Sequence, residues 1–263
     1  MPSPNWLIRN TAKNRGRTVV VTPESSDFRF LSMARIVLDA GDPPVTARNE
    51  GAETTLLVLG GSGRIIVGGE SFTVGKFDGV YVGRGAEFTV ESDGTIDIVE
   101  GSAPTDVDAP TRHVRYEEIK ENPDLHLNVG AAPAQREIFK VVAENVDGGK
   151  LLTGVTLSEP GHWTSWPPHE HAATQEELYL FFDMPAPGFA TQYLYDDLLD
   201  TTAAQIVYND DAVVIAKGYH PNVAPPGFRV NFAWLLCSLE DRTWRKVGGV
   251  NVQPEFAGET GLR

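Results

Sequence analysis

The sequence predicts an all-β chain built as two tandem β-barrels, and three observations carry that expectation. Short apolar runs recur between clusters of Gly, Pro, Asp and Ser from residue 18 to residue 238, the spacing of sandwich and barrel strands. The 26 glycines and 18 prolines exceed the needs of a helix-rich chain. The pattern of the first half also returns in the second. Glu53–Gly60, a Gly-rich hairpin and Val80–Glu87 are answered by Glu177–Phe182 and, further on, Val213–His220. A chain of 263 residues has room for two cores of this kind.

Taken in order, the first barrel (residues 1–110) reads as strands Thr18–Thr22, Met33–Leu38, Thr54–Leu59, Arg64–Val67, Glu70–Val74, Gly79–Val82, Glu87–Glu91 and Thr95–Val99. Each is a short apolar or β-branched run closed off by turn residues. Gly101–Pro110 has neither apolar periodicity nor a core pattern and reads as the linker. A short helical stretch is expected around Tyr116–Asn122. The second barrel (residues 111–263) then runs through Arg136–Val142, Leu151–Leu157, Glu177–Phe182, Ala190–Tyr195, Gln205–Tyr208, Ala212–Ala216 and Asn231–Ser238.

Composition narrows the functions. With 36 Asp and Glu against 22 Lys and Arg the formal charge is −14, a field that repels phosphate backbones and anionic lipid surfaces, so neither nucleic acid nor membrane is an expected partner. Cys237 is the only cysteine; it allows no intrachain disulfide and no thiolate-rich zinc site, and fits a reducing, cytoplasmic setting. Lying in an apolar strand, it reads as a buried thiol. The start, Met1 to Trp6, has no apolar run of signal-peptide length, and no stretch of about 18 apolar residues occurs.

The chemistry concentrates in the second half. His169-Glu170-His171 follows Trp166-Pro167-Pro168 and precedes Glu176-Glu177-Leu178-Tyr179. On a strand, residues at i and i+2 share a face, so His169 and His171 can present two imidazoles to one point. A carboxylate after a short turn can join them, and His220, behind Lys217-Gly218-Tyr219, supplies a fourth ligand. Glu177 is preferred over Glu176, because it opens the apolar strand and shares a face with Tyr179, which leaves Glu176 pointing away. Three imidazoles and one carboxylate suit a divalent metal ion, zinc first, with iron, manganese or nickel as alternatives.

This arrangement, His169-x-His171-x5-Glu177 with Ala216-Lys217-Gly218-Tyr219-His220, resembles the two motifs of the cupin superfamily. The longer runs Trp163–His171, Glu176–Tyr179, Gly188–Asp197 and Lys217–Gly227 resemble the 5-deoxy-glucuronate isomerase family of inositol catabolism, a bicupin family related to the 4-deoxy-uronate ketol isomerases. The resemblance is strong over Arg136–Ser238 and only architectural over the first 110 residues. It implies a metal site on His169, His171, Glu177 and His220, a small-molecule sugar acid as ligand, aldose–ketose isomerisation, and association of copies through barrel edges as a homo-oligomer. It departs at Tyr193, where a basic residue is expected after the glutamine.

Such a reaction also needs a proton carrier and a holder for the substrate carboxylate. Tyr179 and Glu176 are the candidates for the first role, and Gln192, Arg136 and Lys217 for substrate binding. The same template places Val45, Ala47, Glu53 and Glu87 where the second half has its four ligands. The first half has no histidine before His113, so it reads as a scaffold. His113 and His126 read as solvated; Trp163, Trp166, Tyr219 and Trp234 read as packing at the barrel mouth. An Fe²⁺ dioxygenase and a non-catalytic sugar-binding protein share the same ligand set and stay open as alternatives.

Overall fold

The computed structural model describes residues 6–196 and 204–258; Met1–Asn5, and Asp197 at the end of one quoted run, lie outside them. The first half carries β1 (Leu7–Ile8), β2 (Gly16–Val21), β3 (Ser32–Leu38), β4 (Val45–Arg48), β5 (Ala52–Val67), β6 (Glu70–Gly75), β7 (Gly79–Val82), β8 (Glu87–Glu91) and β9 (Ile96–Pro104). Next come β10 (Arg112–Val114), the helix α1 (Tyr116–Lys120), β11 (His126–Val129), β12 (Arg136–Val142), β13 (Leu151–Ser158), β14 (Trp163–Thr164), β15 (His169–Glu170) and β16 (Gln175–Phe181). The chain ends through β17 (Ala190–Tyr193), β18 (Ala204–Val207), β19 (Ala212–Ile215), β20 (Asn222–Val223), β21 (Asn231–Ser238) and β22 (Asn251–Val252).

Two large sheets dominate. One runs β10-β7-β5-β9-β3-β2, with β4, β6 and β8 attached through β5; the other runs β1-β19-β16-β21-β13-β12-β11. The order β7-β5-β9-β3-β2 repeats as β19-β16-β21-β13-β12, so the duplication seen in the sequence extends to strand order. Neither sheet closes on itself in the pairing of the described residues.

A cut between residues 110 and 111 does not follow this pairing. β1, from the start of the chain, pairs with β19 of the second sheet, while β10, beyond the cut, pairs with β7 of the first. Gly101–Pro110 is not simply a linker either, because Gly101–Pro104 completes β9 between β3 and β5. Gly101 packs closely against the other half: a Cβ there would lie 3.1 Å from Thr55 Oγ1 and 3.2 Å from the Leu235 side chain, which would have to give way.

Side chains alternate across each sheet, as the two-residue period demands. Leu56, Val58, Val80 and Val82 face the interior of the first half, while Leu57, Leu59, Tyr81 and Val99 face the second half and share a core with Leu151, Leu178, Leu235 and Cys237. Strands buried on both faces read as continuous apolar runs, and each such side chain contributes about 1.5–3 kcal/mol by leaving water. Neither His113 nor His126 is solvated as expected: His113 packs on Phe72, and His126 stacks on Phe139 at 4.3 Å and lies 2.9 Å from Glu137.

Two buried carboxylates lock the halves together reciprocally. Glu53 accepts the Tyr81 hydroxyl and the backbone N–H groups of Gly149, Lys150 and Leu151 at 2.5–2.7 Å. Glu176 accepts those of Arg29, Phe30 and Leu31. Glu53 sits opposite Ala103 of β9, and Glu176 opposite Cys237 of β21. Glu53 is therefore the counterpart of Glu176, not of Glu177 as the sequence template had it; Thr54 occupies the place of Glu177. Around Thr54 the first half builds a network in which Arg17 donates twice to Glu100 at 2.7 Å and Asn49 bridges Glu100 and Thr54 at 2.8 Å.

Candidate metal centre and active site

The concave face of the second sheet presents Glu177 and Tyr179 from β16, Phe232, Trp234 and Leu236 from β21, Thr156 from β13, and Arg136 and Ile138 from β12 around one cavity of about 100 Å³. Gly154 of β13 leaves room for it. A Cβ there would lie 2.3 Å from the Trp234 ring, so only glycine lets that indole lie against the strand.

His171, Glu177 and His220 are buried, and their ligand atoms all lie within 4.8 Å of one another. Nε2 of His171 is 2.9 Å and Nε2 of His220 is 3.1 Å from the same carboxylate oxygen, Oε2 of Glu177. His169 stands at the edge of this trio, its ring centroid 4.8 Å from that of His220 and 6.3 Å from that of His171. His169 and His171 do not share a strand face as expected. Only His169–Glu170 is a strand, pairing with β22, and His171 lies in the loop beyond it.

Each imidazole is oriented through its other nitrogen. Nδ1 of His169 lies 2.8 Å from the Pro167 carbonyl, that of His171 3.4 Å from Gln175 O, and that of His220 2.9 Å from Gly218 O. A backbone carbonyl only accepts, so each Nδ1 carries a hydrogen, the arrangement found behind metal-bound histidines; Nε2 of His220 is left with an inward lone pair, while Nε2 of His171 donates to Glu177 where no ion stands between them. Nε2 of His220 is buried and makes no hydrogen bond. An orphaned inward lone pair beside a carboxylate is what a divalent cation would complete, so the residues fit the ion expected from the sequence.

The charges agree. Burial raises the Glu177 carboxyl, but His171 and His220 outweigh it and hold the group below the usual carboxylate range. Burial, and then the charge on His220, holds the His169 imidazolium down to about 3. Burial, reinforced by Glu177, pushes the Tyr179 phenol well above 10 and keeps it protonated. Its hydroxyl lies 2.8 Å from Oγ of Ser165, a residue held at φ 50°.

Arg136 lines the same cavity and is only 3% exposed. Its guanidinium donates at 2.8 Å to the carbonyls of Ala134 and Trp166 and has no carboxylate partner among the described residues. Burial pulls its pKa down to about 10.

Three other expected site residues stand elsewhere. Glu176, proposed as a proton carrier, points to the opposite face of β16, where its oxygens are occupied by backbone N–H groups. Lys217 pairs with Asp196 at 2.8 Å and is more than half exposed outside the cavity. Gln192 is fully buried and donates to the backbone carbonyl of His220 at 2.9 Å, which braces the backbone that carries that imidazole. Conversely, Ser165, Thr156, Gln175 and the C-terminal residues Val247, Gly248 and Val250 line the cavity without having been singled out. Ser165 lies inside the Trp163–His171 run, whereas the C-terminal residues carried no signal beyond a Gly-Gly pair.

An all-β chain of duplicated sheets with a buried His–Glu–His cluster defines a cupin-like protein. A cupin barrel domain protein from Leptotrichia buccalis aligns over 90% of this chain and 91% of its own with a TM-score of 0.52 at 12% identity. The chain belongs to the KduI/IolB family, whose model matches residues 6–252. A 5-deoxy-glucuronate isomerase from Geobacillus kaustophilus is 27% identical over 255 residues, 90% of this chain and 89% of the relative. The crystal structure of an IolB-like protein from Salmonella typhimurium LT2 superposes with a TM-score of 0.85 at 21% identity, covering 97% of this chain and 98% of that one.

Proposed function

We propose that the protein is a metal-dependent isomerase of a deoxy sugar acid, converting 5-deoxy-glucuronate to 2-deoxy-5-keto-gluconate within two tandem cupin barrels, of which the second holds the site. The observation that carries this reading is one cavity lined by His169, His171 and Glu177, with His220 buried directly behind them, and by a buried guanidinium that lacks a carboxylate. A buried arginine without a counter-ion is strongly disfavoured unless a ligand supplies one, and a sugar acid does. The name of the Geobacillus relative supports the substrate.

His171, Glu177 and His220, with His169 beside them, would hold the ion, zinc by preference. When bound it would polarise a carbonyl and stabilise the charge that develops on its oxygen. Arg136 binds and orients the far carboxylate. Tyr179, protonated and steered by Ser165, donates its Oη hydrogen to the substrate carbonyl oxygen and takes one back from the neighbouring hydroxyl as that oxygen becomes the new carbonyl and a proton moves between the two adjacent carbons, so that the residue ends as it began. The apolar walls, Phe232, Trp234 and Leu236, exclude water.

Formation of the keto acid from 5-deoxy-glucuronate without oxygen uptake, with loss of bound metal and of turnover in His171→Ala, is the expected result. Oxygen consumption by the iron-loaded protein would replace this reading with a dioxygenase.

A further inference from the structure

The chain beyond β21 leaves the sheet and returns across the cavity as a strap. Gln175 Nε2 donates to the carbonyls of Trp244 and Lys246 at 2.7 and 3.1 Å. Further on, Asn251–Val252 pairs with His169–Glu170, and the Gln253 N–H donates to Pro168 O at 2.9 Å. Between these anchors Val247, Gly248 and Val250 form part of the cavity wall. Gly248, at φ 95°, turns the strap in a conformation that side chains rarely adopt. The Val247 N–H is already committed to Glu144 Oε1 at 2.9 Å, so the two valines offer methyl groups to the cavity and no side-chain partner.

We infer that Val247 and Val250 are specificity-determining residues: they form the wall against which the deoxygenated carbon of the substrate lies. The inference rests on the isomerase reading and deepens it. Of the polar groups that line the cavity, Arg136 is matched to the carboxylate and the His–Glu–His cluster with Tyr179 to the reacting carbonyl and hydroxyl, while Ser165 is committed to Tyr179 and Gln175 to the strap; Thr156 stands on β13 of the sheet, and the strap contributes no polar side chain. A fully hydroxylated uronate would press one hydroxyl onto the valines with no hydrogen-bond partner, whereas a methylene fits there without penalty. An unpartnered hydroxyl of this kind lowers kcat/KM by about 10-fold to 100-fold.

The test uses Val247→Thr, Val250→Thr and the double variant. Threonine keeps the branched shape and adds a hydroxyl, and both positions are only half-buried, so the fold tolerates the change. The readout is the ratio of kcat/KM for 5-deoxy-glucuronate over glucuronate. Ring closure of glucuronate affects every variant equally, so the change between variants carries the result. At least one threonine is expected to reduce the preference by about 10-fold, through faster turnover of glucuronate. A ratio within 2-fold of the wild type in all three variants overturns the assignment of the wall while leaving the isomerase standing. No turnover of 5-deoxy-glucuronate by the wild type overturns the isomerase, and this inference with it.

Discussion

Glu176 and Glu177 are neighbours in sequence with opposite duties, and replacing Glu176 by glutamine separates them. The Glu176 carboxylate accepts three backbone N–H groups that open β3 of the other half. Each such bond to a charged acceptor contributes about 1.5–3 kcal/mol net. Glutamine retains one acceptor oxygen but turns an NH₂ group toward the remaining donors. At least one bond and the charge are lost, at a cost of about 2–4 kcal/mol. For a chain of this size that corresponds to a fall in Tm of about 5–15 °C, measured by calorimetry on the metal-loaded protein. Because the side chain faces away from the cavity, kcat at 25 °C is expected to stay within about 2-fold of wild type. A Tm unchanged within 2 °C together with a 100-fold loss of kcat would restore Glu176 as the proton carrier and refute the argument.

Four further outcomes are expected. Glu53→Gln should lower Tm by a similar amount, since Glu53 holds the equivalent N–H groups of Gly149–Leu151; an unchanged melting curve would contradict the reciprocal lock. Arg136→Met should raise KM about 100-fold while changing kcat far less, and should stabilise the free protein by about 1–3 kcal/mol by removing an unpaired buried cation; steady-state kinetics and denaturant titration read both effects. In the metal-free protein, His169 is neutral when folded and protonated when unfolded between about pH 3 and 6.5. Its contribution is complete above pH 6.5 and is lost as pH falls, by up to about 1.4 kcal/mol per unit. Urea titrations at pH 7 and 5 should therefore show a larger loss for wild type than for His169→Asn, and parallel losses would contradict it. Cys237, whose thiol burial pushes well above its ordinary pKa, should react with a disulfide reagent only as fast as the protein unfolds.

The strands were legible because their information is local. Gly79–Val82, Glu87–Glu91, Arg136–Val142 and Asn231–Ser238 appear with the boundaries their alternation and turn residues set. The clustering of His171, Glu177 and His220 was legible because the first two are close in sequence and His220 ends a recognisable strand. What escaped depends on contacts between distant segments. The role of Glu176 is fixed by residues 29–31, which no local pattern announces. The strap was invisible because two residues, Asn251 and Val252, suffice to pair it with His169–Glu170. Gly101–Pro104 looked like a linker for the same small side chains that let β9 approach Leu235.

The exchange of edge strands makes the two halves interdependent. If the chain were severed after residue 110, β19 would lose β1, β7 would lose β10, and both buried carboxylates would face vacated donors. Each fragment would expose an open edge, the usual route to aggregation. Neither half is therefore a free-standing unit: the sheet without the His–Glu–His cluster closes an edge and supplies the N–H donors that hold Glu176, so a substitution at the shared seam reaches the other half even where it is far from the cavity.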